Sequence, residues 1–213
     1  MHEKPNFKFE KSIINDKKNY IAGIDEVGRG TLAGPVTVGI VIFDITNNNE
    51  KLLIDIGIND SKKLSPTKRQ KLYKYIVSNS ISYSTGCSTE SEIDSIGINK
   101  AIQLALSRAL GNLNHKPHHL LIDAIKYSYN DIPQTSIIKG DQKSLSIAAA
   151  SILAKVTRDN YMINISDKYP HYLFNKNKGY GTKSHIDSIK KHGKSKIHRK
   201  SFLIKNLDIK NNE

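Results

Sequence analysis

The sequence predicts an α/β layered fold with one central sheet. Three observations carry that prediction. Apolar, β-branched stretches of strand length, such as Pro35–Phe43, are interleaved with segments whose apolar residues recur at helical spacing, such as Ile102, Leu106, Ala109 and Leu110. The two kinds of signal alternate along the chain, as they do where helices pack on a sheet. The 213 residues suit one core at about 150 residues per domain, and no repeat or Gly/Ser- or Pro-rich linker divides them.

In chain order, residues 1–18 read as a flexible arm, 19–206 as a single catalytic-size domain with a basic helical region from about 160, and 207–213 as a frayed tail. Tyr20–Asp25 and Pro35–Phe43 read as strands, and Asn47–Asn49 as a turn. Ser65-Pro66 supplies a cap and a first-turn proline for a helix through Val77. Ile81–Cys87 reads as a strand and Asn99–Leu113 as a helix; His119–Ile122 and Ile137-Ile138 read as short strands. A long alanine-rich helix is expected over Ser144–Lys168, stopped before Pro170. A last one over Ser184–His192 ends at Gly193.

Composition narrows the function classes. The net charge is +13, and residues 160–213 carry +8 of it. Such an excess suits a polyanion, nucleic acid first; the plainer reading is a solvated lysine-rich surface. The one cysteine, Cys87, excludes an internal disulfide or a cysteine zinc site and reads as a small buried hydrophobe. The eight histidines show no zinc spacing and read as surface or core residues. The longest apolar runs fall far short of the ~20 residues that span a bilayer, and the N-terminus lacks a secretory apolar segment. A cytoplasmic protein is expected.

The acids are the informative residues. Asp25-Glu26 ends one apolar strand, Asp123 ends another, and Asp141 follows Ile137-Ile138-Lys139-Gly140. Strand ends are where ligands bind in open α/β sheets, and clustered carboxylates there call for a hard cation, Mg²⁺ or Mn²⁺. Metals held by acids on a basic protein suit phosphodiester hydrolysis by a two-metal site. Adjacent strand residues point to opposite faces, so Asp25 and Glu26 share a site only where the strand ends or bulges. Gly28-Arg29-Gly30-Thr-Leu-Ala33 also fits a relaxed dinucleotide fingerprint. That motif needs a following helix, and here Pro35 and a β-branched run follow. The turn reads better as backbone brought close to a nucleic acid.

With those residues in hand, the chain resembles the ribonuclease HII (type 2 ribonuclease H) family. The resemblance rests on Gly23-Ile-Asp25-Glu26-Val-Gly28-Arg29-Gly30-Thr-Leu-Ala-Gly34-Pro35-Val36, Asn59-Asp-Ser-Lys62-Lys63-Leu64, Leu121-Ile-Asp123 and Lys139-Gly140-Asp141. Ser146–Asp159, Lys178-Gly179-Tyr180 and His198-Arg199-Lys-Ser201-Phe202 follow in the same order, over roughly residues 20–203. The resemblance implies a ribonuclease H-like α/β fold, with a central mixed sheet flanked by helices and a helical C-terminal part. It implies hydrolysis of RNA in RNA–DNA hybrids and nicking 5′ of single ribonucleotides in duplex DNA, leaving 3′-hydroxyl and 5′-phosphate ends. The implied roles are ribonucleotide removal and primer processing.

By position, Asp25, Glu26, Asp123 and Asp141 match the metal-binding, catalytic acids. Gly28, Arg29 and Gly30 match a turn that senses the 2′-hydroxyl, and Tyr180 matches a tyrosine that packs on the neighbouring deoxyribose. Lys62, Lys63, Lys155 and Arg158 are candidate phosphate contacts. Two departures stand out: Ala124-Ile125 replaces the family's usual Gly-Asn, and the proline common after the His-Arg-x-Ser-Phe segment is absent. A monomer is expected, and a replication clamp is a candidate partner. The sister ribonuclease HIII usually carries an N-terminal domain and Thr in place of Arg29, whereas about twenty residues precede the first motif here. A catalytically silent nucleic-acid-binding module is the other alternative; the presence of all four acids speaks against it.

Overall fold

A computed structural model describes residues 4–15, 19–46, 49–124 and 132–204. Five strands form one mixed sheet in the order β3-β2-β1-β4-β5: β1 Ile21–Val27, β2 Val36–Ile42, β3 Ser82–Ser88, β4 His119–Asp123 and β5 Gln134–Ile137. The β1–β2 and β2–β3 pairs are antiparallel; the β1–β4 and β4–β5 pairs are parallel. The helices are α1 Lys8–Ile13, α2 Glu50–Asp55, α3 Pro66–Asn79, α4 Glu90–Ile96, α5 Ile98–Gly111, α6 Leu145–Ser166, α7 Phe174–Asn177 and α8 Lys183–His192.

Strand alternation sends one set of side chains to each layer. Ile21, Val41 and Leu121 join Ile147, Ala150 and Leu153 of α6. Ala22, Ile24, Ile40 and Ile122 join Ile102, Ala105 and Leu106 of α5 on the other face. Helix α6 lies almost on the sheet: a Cβ at Gly23 would sit 2.0 Å from the Ser146 backbone. That closeness puts the start of α6 next to the ends of β1 and β4. Along α6, fourteen of the twenty-two residues are buried, because α3 and α7 pack on it beside the sheet.

The expected strands and long helices are present with boundaries shifted by one or a few residues; the expected strand at Ile137-Ile138 is the end of Gln134–Ile137. Ser65, Ser144 and Thr182 cap α3, α6 and α8 through their side chains. Two expectations are corrected. Cys87 is exposed, because β3 is an edge strand and Cys87 falls on its outer alternation. The supposed loose arm is structured over residues 4–15. Phe7 is fully buried against Phe43, and its N–H donates to Glu50 Oε1 at 2.6 Å.

The same segment anchors the first turn of α6. Asn6 pairs with the backbone of Lys143 and Leu145. Buried Glu10 accepts from Ser144 Oγ at 2.6 Å and from Ser146 N at 3.1 Å, where a helix N-terminus favours negative charge. Burial pushes the Glu10 carboxyl upward, against these hydrogen bonds.

Phe7→Ala is expected to cost about 3–4 kcal/mol, a fall of about 10 °C in Tm for a chain of this size. Thermal melts check it; a change within about 2 °C would return this segment to the status of a loose arm.

Candidate active site

The sheet and the first turn of α6 bring three carboxylates together. Asp25 lies near the end of β1 and Asp123 ends the adjacent parallel β4, both on the α6 side by alternation. Asp141 sits in the 3₁₀ turn Gly140–Gln142 that leads into α6. One oxygen from each of the three lies within 4.8 Å of the others. The turn is tied to β4 by Gly140 N donating to Asp123 Oδ1 at 2.7 Å.

Ala124, directly after Asp123, has φ 53°. This left-handed conformation costs an L side chain about 1–2 kcal/mol, so Ala124 stands where glycine would be the easier residue.

These acids oppose one another. Burial, then the charge of Glu26, holds the Asp25 carboxyl well above the usual carboxylate range, with Asp123 and Asp141 adding to the effect. Asp141 is pushed up to about 6 by burial, Asp60 and Asp123, while Lys62 opposes the rise. Burial pulls the Lys62 ammonium down, but Asp25, Asp60, Asp141 and Asp123 outweigh it and hold it above its ordinary value. Three hard oxygen donors, crowded and mutually repelling, fit a divalent cation.

Glu26 is next to this cluster without joining it. β1 stays paired through Glu26↔Val38 and Val27↔Thr37, so no bulge turns Glu26 to the Asp25 side. Its carboxylate lies 3.7 Å from the Arg29 guanidinium. It still lines the cleft of about 270 Å³ that also contains Asp25, Asp123, Lys62, Lys155, Tyr180 and the Gly28-Arg29-Gly30 turn. Gly30 is open above its Cα, and Arg29 donates to Asn99 at 2.9 Å. Tyr180 is 38% exposed, with Lys155 Nζ 5.3 Å and Arg158 Cζ 5.8 Å from its ring centre. Lys155 pairs with Asp159 at 2.9 Å.

Arg158 is not a phosphate contact. It is fully buried, and its guanidinium donates to the carbonyls of Pro35, Lys178 and Ala33 and to Thr31 Oγ1 at 2.8–3.0 Å. Lys63 lines a different cleft, of about 430 Å³, with Lys4, Lys8, Lys139 and Lys143. A third, of about 350 Å³, holds Arg69, Lys155, Lys176, Lys178 and Tyr180. The positive surface thus draws on the N-terminal segment as well as on the basic C-terminal quarter.

The sequence reading overlooked Asp60 and Ser151. Asp60 is buried in a polar loop with no strand signal before it. Ser151 lies in an apolar helix; it hydrogen-bonds Asp25 and Ser61 at 2.9 Å. Its only sequence signal was a polar residue about two turns into an otherwise apolar helical stretch.

The ribonuclease HII family model matches residues 22–205, the span that holds every one of these residues except the N-terminal lysines. The chain belongs to the ribonuclease HII family. It is 48% identical over 197 residues to the ribonuclease HII of Caldicellulosiruptor bescii, covering 92% of this chain and 93% of that one. It is 49% identical over 204 residues to the ribonuclease HII of Bacillus cereus strain G9842, covering 94% and 77%. The solved ribonuclease H2 of Pyrococcus horikoshii OT3 is 28% identical, with a TM-score of 0.69, covering 86% and 93%. The fold is therefore the ribonuclease H-like α/β fold, and the protein is a metal-dependent endoribonuclease acting on RNA–DNA substrates.

A raised carboxyl pKa means that the folded protein binds the proton more tightly than the unfolded chain. The metal-free fold therefore loses stability as pH rises from about 4 through about 6. Asp141→Asn is expected to raise the metal-free Tm at pH ~7.5 by about 3 °C, on the order of 1 kcal/mol. It is expected to lower cleavage about 100-fold or more. Melts with chelator at several pH values check the first effect; a variant melting below the wild type at pH ~7.5 contradicts it.

Proposed function

We propose that this protein nicks duplex DNA on the 5′ side of embedded ribonucleotides and cleaves RNA in RNA–DNA hybrids, leaving 3′-hydroxyl and 5′-phosphate ends. The observation that carries the proposal is the meeting of Asp25, Asp123 and Asp141 within 4.8 Å, with Asp25 and Asp123 lining a cleft whose rim is Gly28-Arg29-Gly30 and Tyr180. Asp25, Asp123 and Asp141, with Glu26 completing the set, would hold a pair of Mg²⁺ or Mn²⁺ ions. When bound, such ions supply an activated water and charge for the departing 3′-oxygen.

The chain's own groups do the rest. The three clustered acids would hold the cations where the scissile phosphate must lie, with Glu26 lining the same cleft beside them. Lys62, kept charged among those acids, attracts that phosphate. The Gly28-Arg29-Gly30 turn brings backbone close to a sugar edge, where a 2′-hydroxyl distinguishes RNA from DNA. The Tyr180 ring offers a plate for the neighbouring deoxyribose, and a 2′-hydroxyl there would clash with it. The lysine-lined clefts to either side hold the flanking backbone in a salt-dependent way.

A labelled duplex with one ribonucleotide, incubated with Mg²⁺, Mn²⁺ or chelator, tests the proposal. A metal-dependent nick 5′ of the ribonucleotide is expected; cleavage confined to long hybrids would overturn the junction reading. Asp25→Asn should abolish cleavage and retain binding, and abundant activity in it would remove Asp25 from the metal set. Tyr180→Ala should lower cleavage of the junction substrate about tenfold relative to a uniform hybrid, roughly the 1–3 kcal/mol typical of a lost stacking plate. A matching loss on both substrates, with a lowered Tm, would make Tyr180 a packing residue.

A further inference from the structure

Two histidines that the sequence reading set aside lie buried beside Tyr180. His185 in α8 and His198 are 0% and 1% exposed, enclosed by Tyr172 and Phe174. Their ring nitrogens form a continuous chain of contacts. His185 Nδ1 is 2.8 Å from the Tyr180 carbonyl, and His185 Nε2 is 3.0 Å from His198 Nε2. His198 Nδ1 receives Ser195 N at 2.8 Å and Ser195 Oγ at 2.7 Å.

The partners leave one arrangement of protons. A carbonyl oxygen only accepts, so His185 carries its proton on Nδ1. A backbone N–H only donates, so His198 Nδ1 is bare and its proton sits on Nε2. His198 Nε2–H then donates to His185 Nε2, which has a lone pair because its proton is on the other nitrogen. Both rings are neutral. Burial keeps them so, lowering His185 and, with the repulsion that two charged rings would feel for each other, taking His198 down to about 4.

The chain connects the pieces that form the rim of the cleft. Ser195 and His198 close one turn, His198 N donating to the Ser195 carbonyl at 3.0 Å; His198 bridges to Ala33, and the next residue, Arg199, donates to the carbonyls of Gly28, Arg29 and Gly34. The far end of the chain fixes the peptide of Tyr180. That peptide is already turned by Thr182 N, which donates to the same carbonyl at 2.8 Å.

We propose that His185 and His198 are positioning residues that lock the Tyr180 backbone to the Gly28-Arg29-Gly30 turn and so set the enzyme's preference for a ribonucleotide–deoxyribonucleotide junction over uniform RNA. The specificity part rests on the function proposed above; the proton arrangement does not.

The test has two readouts. Ring ¹⁵N NMR of the wild-type protein near neutral pH should show His185 as the Nδ1–H tautomer and His198 as the Nε2–H tautomer. A charged ring, or His185 protonated on Nε2, overturns the relay. Kinetics then compare His185→Leu, which fills space without a donor, with His185→Asn, whose amide places a donor near the lost Nδ1. His185→Leu should lower kcat/KM on a single-ribonucleotide duplex about tenfold relative to a uniform hybrid, and His185→Asn should restore most of that ratio. Parallel losses on both substrates, or a His185→Asn variant no better than His185→Leu, overturn the positioning role and leave only packing. Equal cleavage of the two substrates by the wild type overturns the junction reading itself, and this is seen before any variant is made.

Discussion

The rim of the site depends on two buried guanidinium groups that bind backbone instead of carboxylate. Arg158 and Arg199 are both fully buried, and neither lies within ion-pair distance of an acid among the described residues. Burying an unpaired charge is expensive, and so is burying the carbonyls of an irregular loop. Each cost offsets the other here. The loop 28–35 cannot form a ladder, since Gly28 and Gly34 have φ 95° and 79°; its carbonyls are collected by the planar forks of the two arginines. A Cβ at Gly28 would lie 2.3 Å from Arg158 Nε, so the guanidinium passes where any other residue would put its side chain. Burial, joined by the charge of Arg158, brings Arg199 down to about 9. The turn at the rim of the cleft is therefore placed from outside, by α6 and by the segment after α8.

This constraint explains what could be read from the sequence and what could not. Asp25 and Asp123 were legible because each closes an apolar strand, and strand ends converge in an α/β sheet. Asp141 was legible from a weaker form of the same signal. The doubt over Asp25 and Glu26 was also legible, since alternation is a property of any strand, and the unbroken pairing through Val27 upholds it. Arg158 was misread because an arginine in a helix reads as exposed, and its partners lie 20 to 127 residues away. Asp60 and the His185–His198 contact have no local pattern at all; they exist only once the chain has folded. The same holds for the N-terminal segment. Lys8–Ile13 is a six-residue, mostly polar helix that could not persist alone. Its order comes from Glu50, Phe43 and the first turn of α6.

The N-terminal helix and the acid cluster are parts of one arrangement. Asp141 stands four residues before the start of α6, and Glu10 and Asn6 fasten that start to the N-terminal segment. A carboxylate that its neighbours repel would move away if its turn were free to do so. Gly140 N on Asp123 and the clamp at Ser144 prevent it, so the repulsion stays in the folded protein as a demand for positive charge.

That demand also settles how a protein of net charge +13 handles an anionic substrate at an acidic centre. The lysine-lined clefts offer positive charge suited to a sugar-phosphate backbone. At the middle, the carboxylates carry the same sign as the phosphate and oppose its approach. Lys62 alone cannot reverse this, because it is outnumbered by the four acids that hold it charged. Divalent cations held by Asp25, Asp123 and Asp141 would reverse it, and would turn the repulsion among the acids into coordination. Under the proposed function the flanks would supply affinity with or without metal, while close approach of the scissile phosphate would depend on it. A basic surface around an acidic floor separates holding the substrate from cutting it, and that separation follows from where β1, β4 and α6 end.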